Sequence, residues 1–213
     1  MSLTMVSDLC IATAETLYMV VCSTLGAIIL GLPFGTWLFI CKTLRPQPRL
    51  AHILSTIINI TRSIPFIILL VALIPFTRLI VGSSIGIHAA IVPLILGATP
   101  FFARLVDNIY LNLPAGLIET GLSMGATTWQ MIRNILLPEA RSPLIQAITV
   151  TAITLINYSA MAGTVGGGGL GDLAIRYGYQ RFNANIMLAT VIILIIIVQG
   201  VQWLGDRLSR QPR

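Results

Sequence analysis

Few residues in this chain could do chemistry, and their spacing points away from catalysis. Gly166, Gly168 and Gly171 satisfy G-x-G-x-x-G, which cradles a pyrophosphate when it follows a strand and opens a helix. Here the pattern follows an apolar run of membrane length, with no β-α-β unit, so a dinucleotide site is not expected. It reads instead as a flexible segment on the outer side near a pore mouth, or as a plain loop. Lys42 is the only lysine, and no G-x4-G-K-[ST] surrounds it, so the chain is not expected to bind or hydrolyse ATP itself. Cys10, Cys22 and Cys41 form no C-x-x-C and read as small apolar residues. His52 and His88 lie near the ends of apolar runs without metal-ligand spacing. No catalytic, cofactor-binding or metal-ligating set emerges.

The elements around these residues are set by composition. The chain has 213 residues, 56% hydrophobic and 9% charged. A soluble domain carries about 25% charged residues, so this chain cannot cover itself with polar surface and reads as an integral membrane protein. The net charge of +6 could suggest nucleic acid. The basic residues are spread between apolar runs, where they act as topology signals, and no nucleic acid is expected. No Lys or Arg precedes residue 42, so the first run reads as a retained helix rather than a cleaved signal.

Five runs are long enough to cross a bilayer, which takes about 20 apolar residues. They cover residues 16–40, 52–75, 86–111, 143–165 and 185–204. The expected fold is all-α: one polytopic membrane domain over 1–213 with five spans and no linker. With the N-terminus outside, nine basic residues fall inside (Lys42, Arg45, Arg49, Arg104, Arg133, Arg141, Arg207, Arg210 and Arg213) and three outside (Arg78, Arg176 and Arg181). That bias places the N-terminus outside, and the C-terminus and the segment 114–138 in the cytoplasm. Arg62 is the only basic residue well inside an apolar stretch. At a helix centre it would cost about 2.5–3.5 kcal/mol, so it either reaches the cytoplasmic interface or pairs, with Asp107 as the candidate partner. Gly31-x-x-x-Gly35 fits close helix packing, and Pro33 between them predicts a kink.

Segment 114–138 is the longest polar interruption. Pro114 suits a helix start. Leu117, Ile118, Gly121, Leu122 and Gly125 share a face at i, i+3, i+4 spacing, with Gly121 leaving room for a partner to approach. Gly125 suits a left-handed helix terminus. Thr127 followed by Gln130 is a capping-box pattern that restarts the chain as a second helix, and Pro138 is expected to stop it. A rigid helix–break–helix results, either a mechanical coupling element or an amphipathic piece lying on the membrane. In the fourth span, Asn157, Ser159 and Met161 either line a path with Met161 as a soft plug, or serve helix–helix hydrogen bonds and packing.

Glu119, Gly125, Ile135, Leu137 and Pro138 also stand at the spacing E-A-A-x3-G-x9-I-x-L-P. With this pattern the chain resembles the permease subunits of type I ABC importers, and within them the methionine-import permeases. Arg62–Leu70 (RSIPFIILL), Ala89–Pro93, Tyr158–Met161 and Gly166–Gly171 carry the narrower resemblance. The chain departs from the pattern at Thr120 and Gly121, where the signature has two alanines. The resemblance implies a multi-pass protein of the bacterial inner membrane, surrounded by lipid. Two copies would form the pore. Two ABC ATPase subunits, using ATP and Mg, would hold the loops from the cytoplasm, and a periplasmic or lipid-anchored binding protein would deliver substrate. It implies uptake of an amino acid, D- or L-methionine, with Glu119, Gly121, Leu122, Gly125 and Pro138 as coupling residues. An importer of another amino acid or small solute is the alternative. An ion-driven secondary transporter would need intramembrane carboxylates, for which Asp107 is the one candidate, and a membrane enzyme would need a catalytic cluster.

Overall fold

The computed structural model describes residues 3–210, so Arg213 of the charge count lies outside the described residues. All regular structure among those residues is helical. Helix α1 (Leu3–Phe39) continues through a widened π-turn at Ile40–Leu44. Then follow α2 (Pro48–Ser63), α3 (Phe66–Ala72), α4 (Ile74–Val81) and the long α5 (Ile87–Leu111). The loop holds α6 (Ala115–Ser123), α7 (Thr128–Gln130), a π-turn at Met131–Leu136 and α8 (Leu137–Glu139). The chain returns through α9 (Arg141–Gly163), turns back in α10 (Gly169–Leu173) and a π-turn at Ala174–Tyr179, and ends in α11 (Ala184–Ser209).

Four of the five expected spans are single helices long and apolar enough to cross a membrane: α1 with its π-turn, α5, α9 and α11. The second is not. Residues 52–75 divide between α2 and α3, which bend by 98° at Ser63–Pro65. Pro65 has no N–H and forces the residue before it away from helical geometry. Ile64 accordingly takes φ −79°, ψ 124°. Pro33 is held within the uninterrupted helix α1.

Helix α5 is the hub, packed against α1, α2, α3, α4 and α9. Gly31 and Gly35 make the α1–α5 approach possible. A Cβ on Gly31 would lie 2.9 Å from the Phe102 ring, and one on Gly35 would run into the Ala103 carbonyl oxygen. One core cluster joins Met19, Phe66, Leu94, Leu155 and Ile156 across four helices. A second, at the loop end, joins Phe39, Phe102, Val106, Tyr110, Leu136 and Leu144. Outside these cores the helices present bare apolar side chains such as Ile29, Leu79 and Ile196, as lipid-facing helices do.

The glycine segment after α9 is pinned, which corrects the expectation of a flexible stretch. Gly169 N–H donates to Glu15 Oε2 at 2.8 Å, and Leu170 N–H donates to Thr16 Oγ1 at 2.9 Å. Gly86 N–H donates to the Gly166 carbonyl at 2.9 Å. Gly169 has φ +73°, and a Cβ there would meet Thr16 Oγ1 at 2.6 Å. Only glycine combines that backbone with that contact. Two of the orphan N–H groups of α10 are thus satisfied from α1, and Glu15 becomes a structural acceptor within the first long helix.

Candidate functional site: the coupling loop and the bundle above it

Sequence places a helix, a break and a second helix between α5 and α9, and the backbone supplies them. Pro114 is the N-cap of α6 rather than its first residue. At the other end Gly125 N–H donates to the Leu122 carbonyl and Ala126 N–H to the Gly121 carbonyl, both at 3.0 Å. With Gly125 at φ +74°, these bonds form the Schellman termination that closes a helix on a left-handed residue. Two residues later the capping box is complete. Gln130 N–H donates to Thr127 Oγ1 at 3.3 Å, and Thr127 N–H donates to Gln130 Oε1 at 2.8 Å. A helix stop and a helix start three residues apart leave little freedom between them. Thr127→Ala should cost about 1 kcal/mol locally, read as faster amide exchange at Thr128–Gln130 with the bundle unchanged; equal exchange would refute the cap.

The coupling residues separate into two sets. Glu119, Leu122, Gly125 and Pro138 are exposed. Gly121 is buried, which corrects its reading as an approach surface for a partner. A Cβ on it would overlap Met131 Sδ and lie 2.7 Å from Ile135 Cδ1. The small residue is used inside the loop, where α6 crosses the second half. Thr120 is exposed beside it. Pro138 is also not the stop expected of it. The helical path runs through it in α8 and breaks at Ala140. The preceding π-turn explains this: Leu137 N–H bonds back to the Ile132 carbonyl, five residues earlier. That wider turn relieves the clash a proline ring makes with a regular preceding turn.

The exposed surface also contains residues that sequence reasoning passed over. Met124 is 82% exposed and Trp129 is 66% exposed. With Leu122 they place three large apolar groups on the outer side of the two-helix unit. Trp129 also borders an apolar groove of about 440 Å³ with Leu32, Trp37 and Ile132. The usable signal was their apolar character within a polar segment. The inner side is anchored, since Met131 and Leu136 are fully buried and Ile118, Ile132 and Leu137 pack on the second core cluster.

Directly above the loop, Asp107 on α5 is fully buried. Its Oδ2 accepts from Lys42 Nζ at 2.6 Å and from Arg104 at 3.2 Å. Arg104 also reaches Ser55 Oγ of α2 at 3.5 Å. The pairing of Asp107 with Arg62 is therefore overturned, because Asp107 is held by the sole lysine and by a cation one helical turn away. The Arg104–Asp107 spacing was the overlooked signal. Arg62 lies over the Phe101 ring, 5.7 Å from its centroid.

The pore residues are not brought to one surface. Asn157 and Met161 are exposed and one turn apart on α9. Asn157 borders an opening of about 250 Å³ between α9 and α11. Ser159 is buried, and its hydroxyl donates to the Ile156 carbonyl at 2.7 Å. Tyr158, between them, stacks on Phe66 at 4.2 Å with the rings 3° from parallel.

Residues 27–213 match the family described as binding-protein-dependent transport system inner membrane component. The chain is 51% identical over 208 residues to the probable D-methionine transport system permease protein MetI of Vibrio cholerae, covering 96% of this chain and 92% of that one. It is 52% identical over 151 residues to the D-methionine transport system permease protein MetI of Escherichia coli, 70% of each. A solved structure of the MetNI methionine ABC transporter in an inward-facing conformation superposes with TM-score 0.96 at 48% identity, over 99% of this chain and 98% of that one. An amino acid ABC transporter solved with histidines superposes with TM-score 0.73 at 18% identity, over 97% and 92%, and shares the fold alone.

Proposed function

This chain belongs to the family of binding-protein-dependent transport system inner membrane components, and on that premise we propose that it is the permease subunit of an ABC importer for methionine. The carrying observation is identity to a D-methionine permease along nearly the whole chain, with the MetNI fold reproduced at TM-score 0.96. The protein is a multi-pass component of the inner membrane. Two copies would enclose the pathway. The ATP and Mg chemistry would belong to two separate ATPase subunits, and a binding protein would deliver substrate from outside. The N-terminus faces outside and the loop faces the cytoplasm, a reading supported by the charge bias.

The loop geometry suits the transmission of force. Its two halves are locked to each other by Gly121 against Met131 and Ile135, and to the bundle by Leu136. Glu119, Leu122, Met124, Gly125 and Trp129 remain exposed for an ATPase groove. A body that is rigid inside and anchored above moves as one piece when its outer side is pulled. Closure of the ATPases on ATP would therefore tilt α5 and α9, whose ends flank the loop, and open the pathway outward. Differential binding of the ATPases to the two states supplies the driving force.

The test is reconstitution. Liposomes carrying the permease, its ATPase pair and the binding protein should accumulate methionine only with ATP. Gly125→Arg forces a side chain into a left-handed backbone, a cost of about 1–2 kcal/mol, and places it on the docking side. ATP-driven uptake should fall at least about tenfold while the permease bundle keeps its helical spectrum. Unchanged uptake would refute the coupling assignment, and ion-driven uptake by the permease alone would refute the importer.

A further inference from the structure

Arg62 has no ion-pair partner among the described residues; its recorded contact is the face of Phe101. Its depth is unusual. Gly97 and Phe101, which border the same opening, lie about 15–21 Å along the 25-residue α5, at 1.5 Å per residue, near its middle. Arg62 therefore stands level with the middle of α5. A guanidinium at that depth is retained where it faces a water-filled cavity and a ligand. The surrounding backbone agrees. The α2–α3 junction bends by 98°, and irregular backbone at membrane depth survives only where protein or water satisfies it. Pro65 has no N–H to offer the last carbonyls of α2.

The opening at this break has a volume of about 200 Å³ and is bordered by Arg62, Ile64, Phe66, Gly97, Phe101 and Tyr158. That is the space of about seven waters, the scale of one free amino acid. Its walls are chemically divided. Arg62 offers a planar fork that matches a carboxylate. The carbonyl end of α2 offers acceptors of partial negative charge for an ammonium group. The stacked Phe66–Tyr158 pair and Phe101 offer aromatic faces and edges, which favour a thioether. Gly97 keeps the space open: a Cβ there would already touch Phe66 at 3.3 Å.

We propose that the α2–α3 break is a transit site for the free amino acid inside the permease, with Arg62 holding its carboxylate and the Phe101 and Phe66–Tyr158 rings taking its apolar side chain. This rests on the importer reading above and extends it, because it makes the permease itself a reader of the amino-acid zwitterion. Broken helices serve comparable ends in other transporter folds, where half-helix termini meet the charged ends of a substrate.

The experiment compares wild type, R62K and R62A in the reconstituted complex with ATPases and binding protein. Initial uptake of labelled methionine and ATP hydrolysis are measured in parallel. R62A should lower uptake at least about tenfold, the scale of losing a charge-assisted hydrogen bond, with hydrolysis within about twofold of wild type. R62K should fall between, since an ammonium keeps the charge and loses the fork. If R62A does not assemble, R62Q carries the same expectation. Uptake by R62A within about twofold of wild type overturns the site, as does a parallel loss of uptake and hydrolysis, which would mean a structural role. Wild-type uptake checks the substrate reading separately. If another amino acid is moved in place of methionine, the R62A comparison made on that amino acid decides the site by the same outcomes.

Discussion

Asp107→Ala is expected to lower the thermal midpoint of the purified complex by about 6–12 °C. The carboxylate is fully buried and accepts from Lys42 and Arg104. Removing one member of a buried charge set costs about 3–5 kcal/mol, because the charges left behind have lost their compensation. Lys42 and Arg104 each keep about a quarter of their side-chain surface exposed, at 26% and 28%. They can partly rehydrate, so the lower end, about 3 kcal/mol, applies. In a chain of this size each kcal/mol moves the midpoint by about 2–4 °C. Asp107→Asn keeps the volume and one acceptor and should lose less. Lys42→Met leaves Asp107 with Arg104 and should fall between. A midpoint for Asp107→Ala within 2 °C of wild type would mean that the cluster contributes nothing net, as some buried ion sets do. Functional loss should accompany the structural one. The cluster ties the end of α1 to α5 and, through Arg104, to α2, immediately above the loop.

The second large effect is expected at Gly35. A Cβ there runs into the Ala103 carbonyl oxygen and lies 2.7 Å from Val106 Cβ. The obstacle is helix backbone, which cannot rotate aside. Gly35→Val must therefore push α1 from α5, the most extensive helix pair in the chain. Overpacking of this kind costs about 1–3 kcal/mol and sometimes more. Lys42 lies seven residues on, about two turns along the same helix face, so the same displacement draws Lys42 from Asp107. Gly35→Val should then lose at least as much as Asp107→Ala, and the double variant should lose less than the sum, because both act on one contact. Gly31→Ala is the graded control. Its nearest obstacles are the Phe102 ring at 2.9 Å and the Thr99 carbonyl oxygen at 3.0 Å, both farther off than the Ala103 carbonyl that faces Gly35, so it should be milder than Gly35→Ala. Strict additivity in the double variant would separate the two features and sink this coupling.

Much of the fold was legible because its signals are local. Hydrophobic runs of membrane length identify α1, α5, α9 and α11 to within a few residues at most ends, since a bilayer demands length and little else. The loop was legible for the same reason. Gly125 and the Thr127–Gln130 pair act within a few residues of themselves, and both terminations formed as the spacing required. The second run qualifies as a span only as the bent pair α2–α3, and the bend follows a local rule that was overlooked. Pro65 dictates an extended Ile64, and the bend follows from it. Pro138 failed in the opposite sense: a proline read as a stop is carried inside a helix because the π-turn before it makes room.

What the sequence alone determined is the class of object: an oily, all-helical, multi-pass chain with one rigid polar loop at the spacing of an importer's coupling segment. Composition, run length and capping chemistry each act over at most one helix, so they survive without knowledge of neighbours. What only the tertiary structure decided is which side of each residue is used. Gly121 faces inward onto Met131 and Ile135, while Met124 and Trp129 face outward. Asp107 meets a lysine 65 positions earlier, and Glu15 caps a turn 154 positions later. Arg62 reaches the Phe101 ring on the middle of α5, with no ion-pair partner among the described residues. Such pairings depend on how helices cross and rotate against one another. Crossing is set by side-chain shape and by glycines such as Gly31 and Gly35, summed over whole helix faces, and no window of sequence contains that sum.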